Sequence, residues 1–269
     1  MLKLDPIKSE KVWGYELWVA STHINGCQKN LIEACGTEHP LLVKVIQADE
    51  SLSIQVHPDD QKAVELEGEN NRGKTECWYV LDAKPGAKLV YGLNKKYTVD
   101  EMRTAIENNT LENYLRQVEV HKGDFIFIPA GTVHAIGGGL RLMEVQQSCD
   151  ITYRLYDWGR PRELHVEKSL KVIKNDDLPE VKPFDKEFEC QYFSLSKIQV
   201  NGGYAFYNSK REKKAENWVF IYVIEGSGII KSSSLEGRFQ MESEQVYAVA
   251  PGEKIAMEAK GSIMKIVAK

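Results

Sequence analysis

Hydrophobic and polar positions alternate in short runs along most of the chain. "HPLLVKVIQA", "SLSIQVH", "ECWYVLDA", "AKLVYGL", "DFIFIPA" and "LRLMEVQQS" are β-branched or aromatic runs bounded by Gly, Pro, Asp and Lys, and each reads as a strand. Strands at this spacing, with Gly and Pro turns between them, indicate a mainly β protein built as a sandwich or barrel. The period lengthens in three places. "DDQKAVELEG" sets Ala63, Val64 and Leu66 on a short helical stripe that stops at Gly68. "TVDEMRTAIENNTLENYLRQV" opens with Thr98 and Glu101 at capping-box spacing and reads as two short helices. "RELHVEKSLKVI" follows Pro161 and brings Leu164, Leu170 and Ile173 near one face.

Around "KNDDLPEVKPFDKE" the apolar period stops and Pro and charge take over, which places a linker at residues 174–188. The expected division is therefore an N-terminal unit over 1–173 and a C-terminal unit over 189–269. The second unit is again β, with "YFSLSKIQV", "NWVFIYVIEGSGII", "QVYAVAPGEKIAMEA" and "SIMKIVAK". A weak internal echo links the halves: "WYVLDAKPGAKL" with "FIYVIEGSGII", and "GDFIFIPAGTVHAI" with "EQVYAVAPGEKIAM". Two copies of one β unit, the first enlarged by helical insertions, account for this.

Composition narrows the partners. A formal net charge of -4 argues against a nucleic-acid partner and leaves room only for a local basic pocket, suited to a small phosphorylated ligand. No run of eighteen apolar residues predicts a membrane span, and the first residues lack the basic-then-apolar pattern of a signal peptide. The five cysteines are scattered and form no CxxC pair, which points to reduced thiols in a cytoplasm. Any metal must then be held by nitrogen and oxygen.

Gln55 and His57 alternate within "SLSIQVHPDD", so a strand turns both to one face. Further on, "KGDFIFIPAGTVHAIGG" sets Gly123, Pro129, Gly131 and His134 in the pattern G-x5-P-x-G-x2-H. That pattern resembles the second motif of the cupins, small β-barrels that carry a metal in the mouth of a jelly roll, although Gly138 stands where many cupins have Asn. The first cupin motif offers two alternating histidines and then a glutamate. Gln55 takes the place of the first histidine, and Glu76 is displaced by the insertion carrying the "DDQKAVELEG" helix. Gln55, His57, Glu76 and His134 would give two imidazoles and two oxygen donors, a set suited to zinc and open to other divalent metals, with one position left for water or substrate. In the C-terminal copy the echoing positions, near Val219 and Ala256, are apolar, and that copy reads as structural.

Five motifs in order, "SLSIQVHPDD", "GKTECWYVLDA", "PAGTVHAIGGG", "MEVQQSCDITYRLYDWGR" and "RELHVEKSL", together with the opening "VWGYELW", resemble the short bacterial type I phosphomannose isomerases. The resemblance is close over residues 1–173 and weaker beyond. It implies two cupin-type jelly-roll barrels and a zinc-dependent aldose–ketose isomerase. Its substrate would be a small phosphorylated sugar, mannose 6-phosphate or fructose 6-phosphate, and its zinc, one per chain, would be held by the four residues named above. It also implies that Arg154 is the active-site arginine and that Lys74 and Glu144 line the pocket. Lys74, beside a metal and an arginine, is expected to have a lowered pKa and to serve as base or phosphate contact; Glu144 is the alternative acid/base. No Gly-rich phosphate loop occurs, so the phosphate would fall to Arg154, Lys74 or Arg141. Trp158 reads as packing. A different metal-cupin enzyme and a non-catalytic sugar-binding cupin are the competing readings.

Overall fold

In the computed structural model the described residues are 1–233 and 237–269, and they form a mainly β protein. Contacts divide the chain differently from a cut at 174–188. One compact unit comprises residues 9–16 and 45–183; the other comprises 1–8, 17–44 and 184–269. The N-terminal residues join the second unit because the strand Leu2–Leu4 pairs antiparallel with Val246–Val249.

The first unit is an open sandwich. Of one sheet this unit holds Lys182–Pro183, Asp124–Ile128, Glu76–Ala83 and Leu140–Gln147, in that order, and then only residues 45–48, 14–16 and 9–11 of the next three strands. The other runs Tyr153–Tyr156, Ile54–Val56, His134–Ile136, Lys88–Leu93, Leu115–Glu119. Neither closes on itself. Trp78, Val80, Ile126, Ile128 and Leu142 of the first sheet share a buried core with Leu89, Tyr91 and Ile136 of the second. Alternation along each strand makes this possible, since every second residue faces the partner sheet.

Short helices interrupt the run of strands. Asp59 caps the helix Asp60–Glu67 by accepting from the Lys62 N–H, and Gly68 ends it at φ +102°. The capping box of Thr98 and Glu101 starts the helix Val99–Glu107. Its expected successor is instead a 3-10 turn, Leu111–Tyr114, followed by the strand Leu115–Glu119: the strand Lys88–Leu93 presents an open edge, and "LRQVE" pairs with it. Val166–Val172 is helical as expected, but Leu164 lies outside the helix and is exposed.

The second unit holds the helix Lys29–Cys35 and a seven-stranded sheet with three long strands, Phe193–Tyr207, Val219–Ser232 and Lys254–Ala268. Two separate strands were expected over the last span. They are one because Gly226 and Gly261 meet across the pair: a Cβ on either would lie about 2 Å from a backbone oxygen of the other strand. The glycines permit close approach rather than breaking the strand. Among the described residues no helix is long and apolar enough to cross a membrane.

Candidate active site

Sheet register brings most of the expected residues together. In the five-stranded sheet, Arg154 and His134 are the cross-strand partners of Gln55 on either side, so the three lie in one row. In the facing sheet Glu76 pairs with Gln146 and with Ile128, and Glu144 pairs with Trp78 two residues along the same face. His57 follows directly after the strand that carries Gln55.

Glu76 is fully buried at the centre. His134 Nε2 lies 3.4 Å from its Oε1, and His57 Nε2 lies 3.7 Å from its Oε2. The ligating atoms of His57, Glu76 and His134 all fall within 4.8 Å of one another. Each imidazole is held from behind. His57 Nδ1 donates to the Ile151 carbonyl at 2.8 Å and His134 Nδ1 to the Thr132 carbonyl at 2.9 Å. This fixes the tautomer and turns the Nε2 lone pair inward in both rings. Burial pulls the His134 pKa down to about 4, so the ring is a neutral donor at physiological pH. Gln55, half-buried, closes the set with its amide nitrogen 3.3 Å from His134 Nε2.

The donor set fits a small divalent cation. Neighbouring ligands of a tetrahedral zinc ion, with bonds of about 2.0–2.1 Å, lie about 3.3 Å apart, near the separations found here. Both Glu76 oxygens are buried without a hydrogen bond of good geometry, although the Lys74 ammonium sits 2.7 Å from Oε2. A buried carboxylate with unused lone pairs is costly in a protein interior, and a cation between the imidazoles would complete it.

Lys74 is buried between three groups: Glu76, His57 Nε2 at 3.1 Å, and Glu144 Oε1 at 4.0 Å. The expected lowering of its pKa is not what its surroundings produce. Burial does pull it down, but the charges of Glu76 and Glu144 outweigh burial and hold the ammonium above the ordinary lysine value. The Glu144 carboxylate is in turn oriented by the Trp78 indole N–H, which donates to Oε2 at 2.9 Å.

Arg154 is half-buried; its Nη1 donates to the Glu163 carbonyl, and its Nε is buried with no acceptor. Burial and the neighbouring Arg162 lower its pKa, opposed by Asp157. Buried Asp157 organises the arginines behind it, accepting two bonds from Arg162 and pairing with Arg160 at 2.9 Å. Trp158 packs edge-on against Tyr156 and donates to the Leu52 carbonyl, at φ +56°. Arg141 is engaged with Tyr15 and Gln47.

Three further residues escaped the sequence reading. Gln146, the register partner of Glu76, is fully buried, with its amide oxygen unpartnered. Asp60 and Gln147 bind the segment that carries Lys74. Only the doubled acid of "HPDD" and the doubled amide of "VQQS" hinted at them.

Residues 3–77 match the type I phosphomannose isomerase catalytic domain. The mannose-6-phosphate isomerase ManA of Bacillus subtilis (strain 168) is 37% identical over 254 residues, covering 88% of this chain and 76% of the relative. The crystal structure of the mannose 6-phosphate isomerase from Bacillus subtilis superposes with a TM-score of 0.82 at 28% identity, over 98% of each chain. A mannose 6-phosphate isomerase bound with zinc and yttrium shares the fold, with a TM-score of 0.73 at 14% identity over 99% of each chain. The chain therefore belongs to the type I mannose-6-phosphate isomerases.

Proposed function

We propose that this chain interconverts D-mannose 6-phosphate and D-fructose 6-phosphate by proton transfer through an enediol(ate), with one zinc ion per chain held by Gln55, His57, Glu76 and His134. The observation that carries the reading is the buried Glu76 carboxylate, flanked by His57 Nε2 at 3.7 Å and His134 Nε2 at 3.4 Å, with both rings held through Nδ1. Gln55 would offer its oxygen after a half-turn of the amide, whose two ends are alike in shape. Zinc in this position would polarise the sugar carbonyl and its neighbouring hydroxyl as a Lewis acid. The zinc-bound fold neighbour supports zinc among the divalent ions that the donors admit.

Isomerisation removes a weakly acidic proton beside a carbonyl, returns it to the adjacent carbon, and develops charge on oxygen. Glu144, 4.0 Å from the Lys74 ammonium, is the acid/base group through which the proton is carried. Lys74 and Arg154 supply fixed positive charge toward the developing oxyanion. Five free cysteines suit a cytoplasmic enzyme.

A coupled assay tests the reading. Mannose 6-phosphate should be converted to fructose 6-phosphate with a kcat/KM far above that for glucose 6-phosphate or ribose 5-phosphate. Preferred turnover of another aldose phosphate would support a different sugar-phosphate isomerase. Ligand-induced stabilisation without turnover would support a sugar-binding protein.

A further inference from the structure

We propose that Asp60 and Gln147 are positioning residues of the reaction, which hold the segment Gly73–Thr75 so that the Lys74 ammonium stands between Glu76 and His57. The inference rests on the proposed role of Lys74 at the reacting centre. All three backbone N–H groups of this segment are anchored. Gly73 N–H donates to Asp60 Oδ1 at 2.8 Å, Lys74 N–H to the Pro58 carbonyl at 2.9 Å, and Thr75 N–H to Gln147 Oε1 at 2.9 Å. The two side chains are linked, since Gln147 Nε2 donates to the same Asp60 Oδ1 at 2.9 Å.

Asp60 is not needed for the helix it begins, because Asp59 already caps that helix through Lys62 N–H. Its carboxylate turns away from its own helix, onto partners 13 and 87 residues distant in sequence. The approach is close. A Cβ at position 73 would lie 2.5 Å from the backbone of Asp59 and Asp60, so only glycine lets the segment seat against the start of the helix. Pro58 follows the candidate ligand His57, and Gln147 follows Gln146, the strand partner of Glu76. The anchors thus tie Lys74 to both halves of the candidate ligand set. Placement of a reacting group matters steeply, with an ångström of displacement costing about 10²-fold in rate.

The test is steady-state kinetics on Asp60→Ala, Asp60→Asn and Gln147→Ala, with zinc content and thermal unfolding measured on each. Asp60→Ala and Gln147→Ala should lower kcat about tenfold or more, up to the ~10²-fold of misplacement, with KM and zinc content little changed. Asp60→Asn keeps an acceptor oxygen and should restore most of the loss. Lower thermal stability with normal kcat, a loss confined to KM, or an Asp60→Asn as impaired as Asp60→Ala would overturn the proposal. If Asp60→Ala does not fold, Gln147→Ala carries the test from the other end of the chain of bonds. Lys74→Gln separates the two levels. If it retains near-normal turnover, the role of Lys74 fails and the positioning role falls with it. If it is inactive while Asp60→Ala is normal, only the positioning role fails.

Discussion

Replacing Lys74 with Met measures what the buried charges at the site depend on. Methionine fills nearly the same volume, so little cavity opens and the effect is electrostatic. Lys74 stands 2.7 Å from Glu76 and 4.0 Å from Glu144, and the three side chains are 6%, 0% and 4% exposed. Removing the cation leaves two carboxylates in one dry pocket. Breaking a buried pair from one side costs about 3–5 kcal/mol, because the partner stays behind as an uncompensated charge. At about 2–4 °C per kcal/mol for a unit of this size, thermal unfolding in excess chelator should fall by about 6–20 °C. Zinc would supply a second cation to Glu76, so the deficit should narrow when the metal is restored. Adding Glu76→Gln to Lys74→Met should return part of the lost stability in chelator, since one stranded charge is then gone. A loss below about 1 kcal/mol in chelator, or an equal loss with and without zinc, would refute the reasoning.

Two further variants probe other parts of the account. Arg154→Ala should keep its zinc and lose about 10²–10³-fold in kcat, the usual effect of removing a donor to a developing oxyanion; near-normal turnover would exclude that role. Asp59→Ala should cost about 0.5–2 kcal/mol at neutral pH in thermal or denaturant unfolding, through loss of a helix cap. Burial pushes the Asp59 carboxyl up, but Lys174 and the Lys62 N–H outweigh it and hold the pKa below the usual carboxylate range. A folded-state pKa that is depressed contributes stability above the unfolded value of about 3.9 and loses it as pH falls through the folded value. The gap between Asp59→Ala and the unaltered chain should therefore close in acid below about pH 4, and a gap that persists there would contradict the assignment.

What could be read from the sequence was what a local period encodes. The strand that carries Gln55 and the strands around Glu76, Ile126 and Leu142 announce themselves by the alternation of their side chains. Spacing to a Pro-x-Gly turn was enough to find His134. Distant hydrogen bonds leave no such trace, so little in the sequence marked Asp60 and Gln147 as partners of the segment that carries Lys74. The charge state of Lys74 was misjudged for a related reason: its pKa depends on Glu76, two residues on, together with Glu144, which another strand brings in from 70 residues away. "LRQVE" carries helical neighbours in the sequence, yet an available sheet edge decided its conformation. Gly261 looked like a strand break until its partner Gly226 stood across from it. The N-terminal strands Leu2–Leu4 and Ile7–Lys11 were missed because they are short and lean on pairing rather than on their own pattern.

The proposed function makes catalysis depend on a metal held by Gln55, His57, Glu76 and His134. Elemental analysis paired with the isomerase assay, before and after chelation, tests it most directly. About one zinc per chain is expected, with loss of turnover when the metal is stripped, recovery on adding zinc, and reduced zinc in His57→Ala and His134→Ala. Unchanged turnover after the metal is removed, or a full complement of zinc in both variants, would contradict it.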